Sequence, residues 1–350
     1  MQGKETASMQ PLSRAFAKAG GPEAPGAGPG SGPPRGPIRG GTLVLLAALV
    51  LAGCSRKEPE KGSRRPAPPP VEPRAPAPPG TEAAGMLEGY MLVEPDERHE
   101  LPDVLREVSG LTEVSDSEVA CVQDEQGAIF IYHMEMRRIE RTIAFGGPGD
   151  YEGLALVGST FFVLRSDGVL IAVAENASES PRIEVADLGL PTRDNEGLCH
   201  DPLGRRLLVA PKSLLEKKGD QGRRQGLFAV GLEDRRAGST PCIVLDLSAV
   251  FDGRERTRTT KRGIGRALPS RFLPSSVAVH PRSGRVFVLS AVAGNLAVFG
   301  RDGRLQGQCP LDRSLFPQPE GIAFLPGGDL VIANEGGAGH ATLLRFKPGG

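Results

Sequence analysis

A short motif that returns about every 44 residues constrains this chain more than any other feature. It reads Ser109-Gly-Leu-Thr112, Glu152-Gly-Leu-Ala155, Glu196-Gly-Leu-Cys199, Ser275-Ser-Val-Ala278 and Glu320-Gly-Ile-Ala323. The second positions fall at 110, 153, 197, 276 and 321, so three intervals are 43, 44 and 45 residues. The remaining interval, 79 residues, holds one unit and an insertion of about 35. A repeat of this length belongs to architectures in which one supersecondary unit stacks on the next.

Each unit continues alike. A turn follows the motif, as in His200-Asp-Pro-Leu-Gly204, His280-Pro-Arg-Ser-Gly284 and Pro326-Gly-Gly-Asp329. A β-rich run comes next, such as Phe161-Phe-Val-Leu164 or Val286-Phe-Val-Leu289. Then comes a third, such as Leu227-Phe-Ala-Val230, and a weaker fourth, such as Arg182-Ile-Glu-Val185. Four short strands with turn residues between them predict a propeller blade. The expected fold is all-β, a five-bladed β-propeller, with six blades as the alternative count. The fifth unit has three strands before the chain ends. Its outer strand is expected from the domain's own start, at Tyr90-Met-Leu-Val93. That pairing would cover two open sheet edges, which otherwise invite aggregation.

The front of the chain has another character. Of 350 residues, 47 are Gly and 32 are Pro, and the prolines crowd toward the N-terminus. The one strongly apolar stretch, residues 41–53, follows Arg35 and Arg39 and ends in Leu51-Ala-Gly-Cys54. Its length suits a secretory signal and is short for a spanning helix. An aliphatic residue, two small residues and a Cys form a lipobox, in which Cys54 would be acylated. Residues 1–53 thus read as a lipoprotein signal region with a long leader. Residues 54–86 read as a lipidated Cys and a disordered Pro-rich tether, with nine prolines between Ser55 and Gly80. Residues 87–350 read as the propeller, with a basic insertion at about 250–268. Within it, residues 251–266 carry six basic and two acidic side chains. The simplest reading of that stretch is a surface loop.

Charge narrows the partners. The chain has 42 basic and 42 acidic residues. Five basic and two acidic residues precede Cys54, so cleavage there leaves a net charge of −3. Such a chain is not expected to bind nucleic acid through a basic face. The expected setting is the bacterial cell envelope, with a monomeric domain exported and tied to the membrane through Cys54. Its partner would be an envelope protein or a small ligand.

The chemistry gathers at the motif starts. The innermost strand of a blade lines the central channel. Glu152, Glu196 and Glu320 should therefore converge on the axis, with Ser109 and Ser275 in the other two units. Gly or Ser at the next position would let neighbouring inner strands approach closely. Carboxylates brought together repel and rise in pKa, and a hard cation such as calcium relieves that. The three glutamates are thus the candidate metal ligands. A second polar layer is expected where the second strands end, at Asp124, Glu125, Ser166, Lys212, Ser290 and Glu335, with Asn195 beside the third motif. His200 and His280 share one turn position, which favours a turn role over catalysis. Cys121, Cys199, Cys242 and Cys309 show no zinc spacing and are expected as buried free thiols.

Several segments together resemble the SdiA-regulated (YjiK-type) family of bacterial envelope propellers. They are Glu107-Val-Ser-Gly-Leu-Thr112, Val122-Gln-Asp-Glu125, Phe145 to Gly153, Asn195-Glu-Gly-Leu198 and Pro317 to Ala323. The resemblance spans Leu87 to Gly350. It implies a five-bladed propeller related to NHL-repeat proteins, with a bound calcium ion and no established reaction. The fourth unit departs from the pattern at Leu273-Pro-Ser-Ser-Val277. The function expected is an exported, membrane-anchored binding module. The alternatives are a calcium-dependent hydrolase of the lactonase or phosphotriesterase type, or a purely structural envelope scaffold.

Overall fold

The computed structural model describes residues 85–176, 179–213, 224–250, 257–260, 263–266 and 272–349. The signal region, Cys54, most of the tether and the side chains of the basic insertion lie outside these residues. No α-helix occurs among the described residues, only a 3-10 turn at Asp103–Leu105.

Five four-stranded antiparallel sheets follow one another as blades. The first runs Val108–Glu113, Glu118–Gln123, Ala128–His133 and Arg138–Ala144. The second runs Tyr151–Val157, Thr160–Arg165, Val169–Asn176 and Glu179–Asp187. The third is Asn195–Asp201, Arg206–Pro211, Arg224–Gly231 and Ile243–Asp246. The fourth is Ser276–Val279, Val286–Ser290, Asn295–Phe299 and Leu305–Pro310. The fifth is Pro319–Phe324, Leu330–Asn334 and Thr342–Phe346, completed by Glu97–Glu100 from the start of the domain. The inner strands pack side by side in a closed ring, the fifth against the first. The count is five, not six.

Closure by an N-terminal strand holds, but the strand is Glu97–Glu100, not Tyr90–Val93. Thr342 pairs with Glu100 and Arg345 with Glu97. Tyr90 and Met91 instead pair with Met86 and Leu87 in a small hairpin. Its turn residues, Glu88 and Gly89, both have positive φ (52° and 88°), as a type I′ turn requires. Leu87, Tyr90 and Leu92 then bury in the seam between the fourth and fifth blades, among Phe287, Phe316, Phe324 and Phe346. The apolar run thus pairs within its own hairpin, and its side chains plug the seam instead of completing the blade.

The insertion between Asp246 and Ser276 carries a two-stranded hairpin, Thr257–Thr260 with Gly263–Arg266.

Each seam between blades is an apolar cluster. Leu154 and Phe161 of the second blade meet Ile129 and Ile131 of the first. Phe228 and Leu198 of the third meet Phe162 and Leu170 of the second. Each such buried side chain contributes about 1.5–3 kcal/mol. The ring of seams makes stacking, rather than any single blade, the source of stability. A buried ion pair adds to the seam between blades three and four. Asp201, with no exposed side-chain surface, accepts two bonds from Arg301 (2.8 and 2.6 Å) and one from Arg206 (3.0 Å).

Candidate functional site: the upper channel mouth

One backbone irregularity, repeated, builds the site. In four of the five blades the inner strand carries a bulge against its neighbour. The register shifts fall between Val108 and Gly110, Tyr151 and Gly153, Asn195 and Gly197, and Pro319 and Gly321. A bulge inserts one residue that leaves the ladder and is re-aimed. That residue is Ser109, Glu152, Glu196 or Glu320. The inner strand of the fourth blade pairs without a bulge, and Ser275 sits just before it.

The glycine after each bulge residue is required by contact with the next blade. A methyl group on Gly153 would lie 2.6 Å from Leu198 Cβ and 2.9 Å from its amide nitrogen. One on Gly197 would lie 3.0 Å from the Val277 nitrogen. The motif Glu-Gly thus joins two needs, a re-aimed carboxylate and a seam without a side chain.

The three glutamates act on one another. Glu152 is pushed up to about 9, by burial first and then by the charges of Glu196, Asp150 and Glu320. Glu320 is pushed up to about 8, by burial and then by Glu335 and Glu196. Glu335, at the end of the fifth blade's second strand, reaches about 7, by burial and then Glu107 and Asp124. Asp124 is raised for the same kind of reason, burial first and then Glu107 and Glu125. Burial and mutual repulsion thus favour the protonated forms of Glu152 and Glu320.

Glu196 differs. Its side chain is 7% exposed and accepts a 2.9 Å bond from Lys212 Nζ. Burial still raises its pKa, because the loss of water outweighs the help of Lys212. Burial pulls the Lys212 ammonium down, but the bond and charge of Glu196, with Asp194 and Glu320, leave it above its ordinary value. Lys212 directly follows the third blade's second strand, where the second polar layer was expected. Its pairing with Glu196 was not anticipated, although a cation one strand away from an axial carboxylate is a readable signal.

The remaining expected site residues divide by role. Ser109 Oγ donates to the Tyr151 carbonyl (2.5 Å), and Ser275 Oγ donates to the Pro319 carbonyl (2.9 Å). Both hold the backbone of the next blade, and Ser275 also hydrogen-bonds the Glu320 side chain, which partly offsets the rise in that carboxyl's pKa. Asn195 is fully buried, donating to the Ser166 and Thr192 carbonyls and accepting from the Thr192 hydroxyl. It too is engaged within the fold. Glu125 is exposed on the same face, and Glu335 accepts from Gln318.

Hard oxygen donors converging in a channel suit calcium in kind. As the side chains stand, Glu196 turns to Lys212. Among the described residues no three acidic, His or Cys side chains close into a metal cage.

The opposite end of the channel is narrow. It holds a cavity of about 80 Å³ lined by Leu111, Glu113, Cys199, His200 and Ile322, among others. That is well below the roughly 300–1,000 Å³ of an ordinary small-molecule pocket. Cys121 and Cys199 are buried free thiols, and burial pushes Cys121 up to about 12. Cys242 is free but exposed, contrary to expectation, because it lies in the connection that leads to the outermost strand. His280 has the expected turn role, since its Nδ1 accepts from the Arg282 and Ser283 amides.

No family model matches the sequence, and no curated protein matches it. Solved structures of similar chain course exist. Glutaminyl cyclase of Myxococcus xanthus is 14% identical, with a TM-score of 0.48, over 73% of this chain and 95% of that one. A luciferin-regenerating enzyme is 10% identical, with a TM-score of 0.43, over 73% and 95%. Streptogramin B lyase is 12% identical, with a TM-score of 0.40, over 72% and 97%. At such low similarity, the chemistry of this chain has to be argued from its own residues.

Proposed function

We infer that the protein is a cation-dependent binding module of the SdiA-regulated type, exported and tied to a membrane through Cys54. The observation that carries the binding reading is the set of re-aimed carboxylates at the upper channel mouth. Burying Glu152, Glu196 and Glu320 together costs free energy that no apolar substitute would incur. A cation among these oxygens would offset that cost. Calcium is the proposed occupant, and Glu152, Glu196 and Glu320 are the residues that would hold it. The ion would supply the positive charge that protons and Lys212 now provide. A ligand or envelope partner would then meet the surrounding polar face, where Asp124, Glu125 and Glu335 lie. Anchoring rests on the lipobox at Leu51 to Cys54 and on the Pro-rich segment behind it.

Calorimetric titration with calcium tests the reading. Wild type is expected to bind about one ion, and Glu152→Gln with Glu320→Gln is expected to abolish the heat. Saturable binding unchanged in the double variant would place the site elsewhere, and no binding at all would remove calcium from the account.

A further inference from the structure

The hairpin that plugs the seam between blades four and five rests on a histidine with a fixed proton. Tyr90 is buried and donates its hydroxyl to the Gly328 carbonyl (2.6 Å). The same oxygen lies 3.0 Å from His280 Nε2. Because the Tyr90 proton is committed to Gly328, His280 Nε2 must be the donor to Tyr90. The other ring nitrogen is committed in the opposite sense. His280 Nδ1 faces two backbone N–H groups, Ser283 at 3.1 Å and Arg282 at 3.3 Å. Backbone amides can only donate, so Nδ1 must stay bare. The ring is further held against Phe287, stacked at 6.0 Å, and Phe324, edge-on at 4.9 Å.

We propose that His280 is a pH-sensitive latch, and that its protonation releases the N-terminal hairpin from the seam between blades four and five. A second proton can go only to Nδ1. There it would face two N–H donors and remove both bonds that the ring accepts from the 280–285 turn beneath Tyr90. Burial already holds His280 below the ordinary histidine range, aided by the nearby positive charges of Arg282 and Arg285 and opposed by Glu88. Among the described residues, the charged groups around the ring come from three elements. From the hairpin comes Glu88, paired with Arg285 at the end of the 280–285 turn. From the turn comes Arg282, which donates to the Gly327 carbonyl (2.9 Å). From the fifth blade comes Asp329, which is held by Arg345 (2.7 Å) and bears on Tyr90. None of these offers a free carboxylate to welcome an imidazolium.

The sign follows from linkage. A histidine held below its unfolded value favours the latched state at high pH. That preference is lost as pH falls through and below the unfolded value of 6.5. Release would uncover Leu87, Tyr90, Leu92 and their apolar seat while leaving the Glu97–Glu100 closure strand paired. The latch is thus a local opening rather than global unfolding.

Amide hydrogen exchange resolves this on the intact chain. The Leu92 amide donates to the Gly85 carbonyl (2.8 Å) across the hairpin and reports its closure. The Ile131 amide in blade one, corrected for intrinsic exchange, is the reference. From pH 7.5 to 5.5, Leu92 protection relative to Ile131 is expected to fall about tenfold, which is what one net hydrogen bond amounts to. His280→Asn keeps a side-chain acceptor for the turn and cannot be protonated, so its ratio should stay flat. A constant ratio in wild type, or the same fall in the variant, would overturn the latch. Should the variant not fold, nitrogen NMR of wild-type His280 decides. The bare-Nδ1 tautomer at pH 7.5, titrating together with hairpin opening, supports the latch. An Nδ1–H tautomer, or titration with the hairpin still closed, refutes it.

Discussion

The Ser109 hydroxyl donates to the Tyr151 carbonyl across the seam between blades one and two. Tyr151 immediately precedes Glu152, so the bond fixes the strand at the residue before its bulge. Ser275 does the same for Pro319, which precedes Glu320. Two of the three axial carboxylates are therefore positioned by a serine in the preceding blade.

Removing either hydroxyl leaves a buried carbonyl without this donor. Ser109→Ala and Ser275→Ala should each lower stability by about 1–2 kcal/mol in urea denaturation. An unchanged midpoint and slope would show that the bond does not matter.

The seam contacts predict a sharp contrast among glycines. Gly153→Ala forces a methyl group to within 2.6 Å of Leu198 Cβ and should cost about 1–3 kcal/mol by overpacking. Gly147→Ala meets nothing within 4 Å and should be close to neutral. Equal thermal melts for the two variants would contradict the seam argument.

The axial glutamates make stability depend on pH in a direction opposite to that of a salt bridge. Glu152 and Glu320 are raised to about 9 and 8. Their protonated forms are favoured in the folded state. The stability they lend is complete below the unfolded value of 4.5 and is lost as pH rises through 8 and 9. Glu152→Gln should therefore melt above wild type at pH 9, with the gap nearly closed at pH 5. A gap that widens toward acid would reverse the sign and refute the assignment.

Asp201 predicts loss at the other end of the scale. Burial raises its pKa, but Arg301, the Gly204 amide and Arg206 together hold it below the ordinary carboxylate range. Its contribution is present above the unfolded value of 3.8 and fades as pH falls. Asp201→Asn should cost about 2–4 kcal/mol at pH 7, somewhat less than for a fully buried pair because Arg301 is partly exposed. A denaturation midpoint equal to that of wild type would mean that the staple between blades three and four is idle.

The blade count was legible because each unit repeats the same turn chemistry, and four of the five repeat a Glu-Gly or Ser-Gly start, the fourth having Ser275-Ser276 there. The closing strand was misplaced because Tyr90-Met-Leu-Val93 is apolar enough to look like a strand. Glu97-Arg-His-Glu100, which does pair, is charged and looks like a loop. An edge strand with one solvated face favours charge, and an apolar run of four suits a plug. At the site, the convergence of the glutamates could be read from spacing. The bulge could not, since it depends on the register against the second strand. Lys212 was visible as a polar residue, but its bond to Glu196 depends on how two strands of blade three meet. The place of Ser109 and Ser275 at the motif starts could be read, but the bonds of their short hydroxyls to the backbone of the next blade could not, since they depend on how the blades stack.

The most direct test of the binding account is the proton count on calcium binding, from calorimetry at pH 7 in two buffers of different ionisation enthalpy. If Glu152 and Glu320 hold protons and are the ligands, binding must displace them. The account predicts release of more than one proton per ion, falling below one in Glu152→Gln. Calcium binding with no proton release would contradict it.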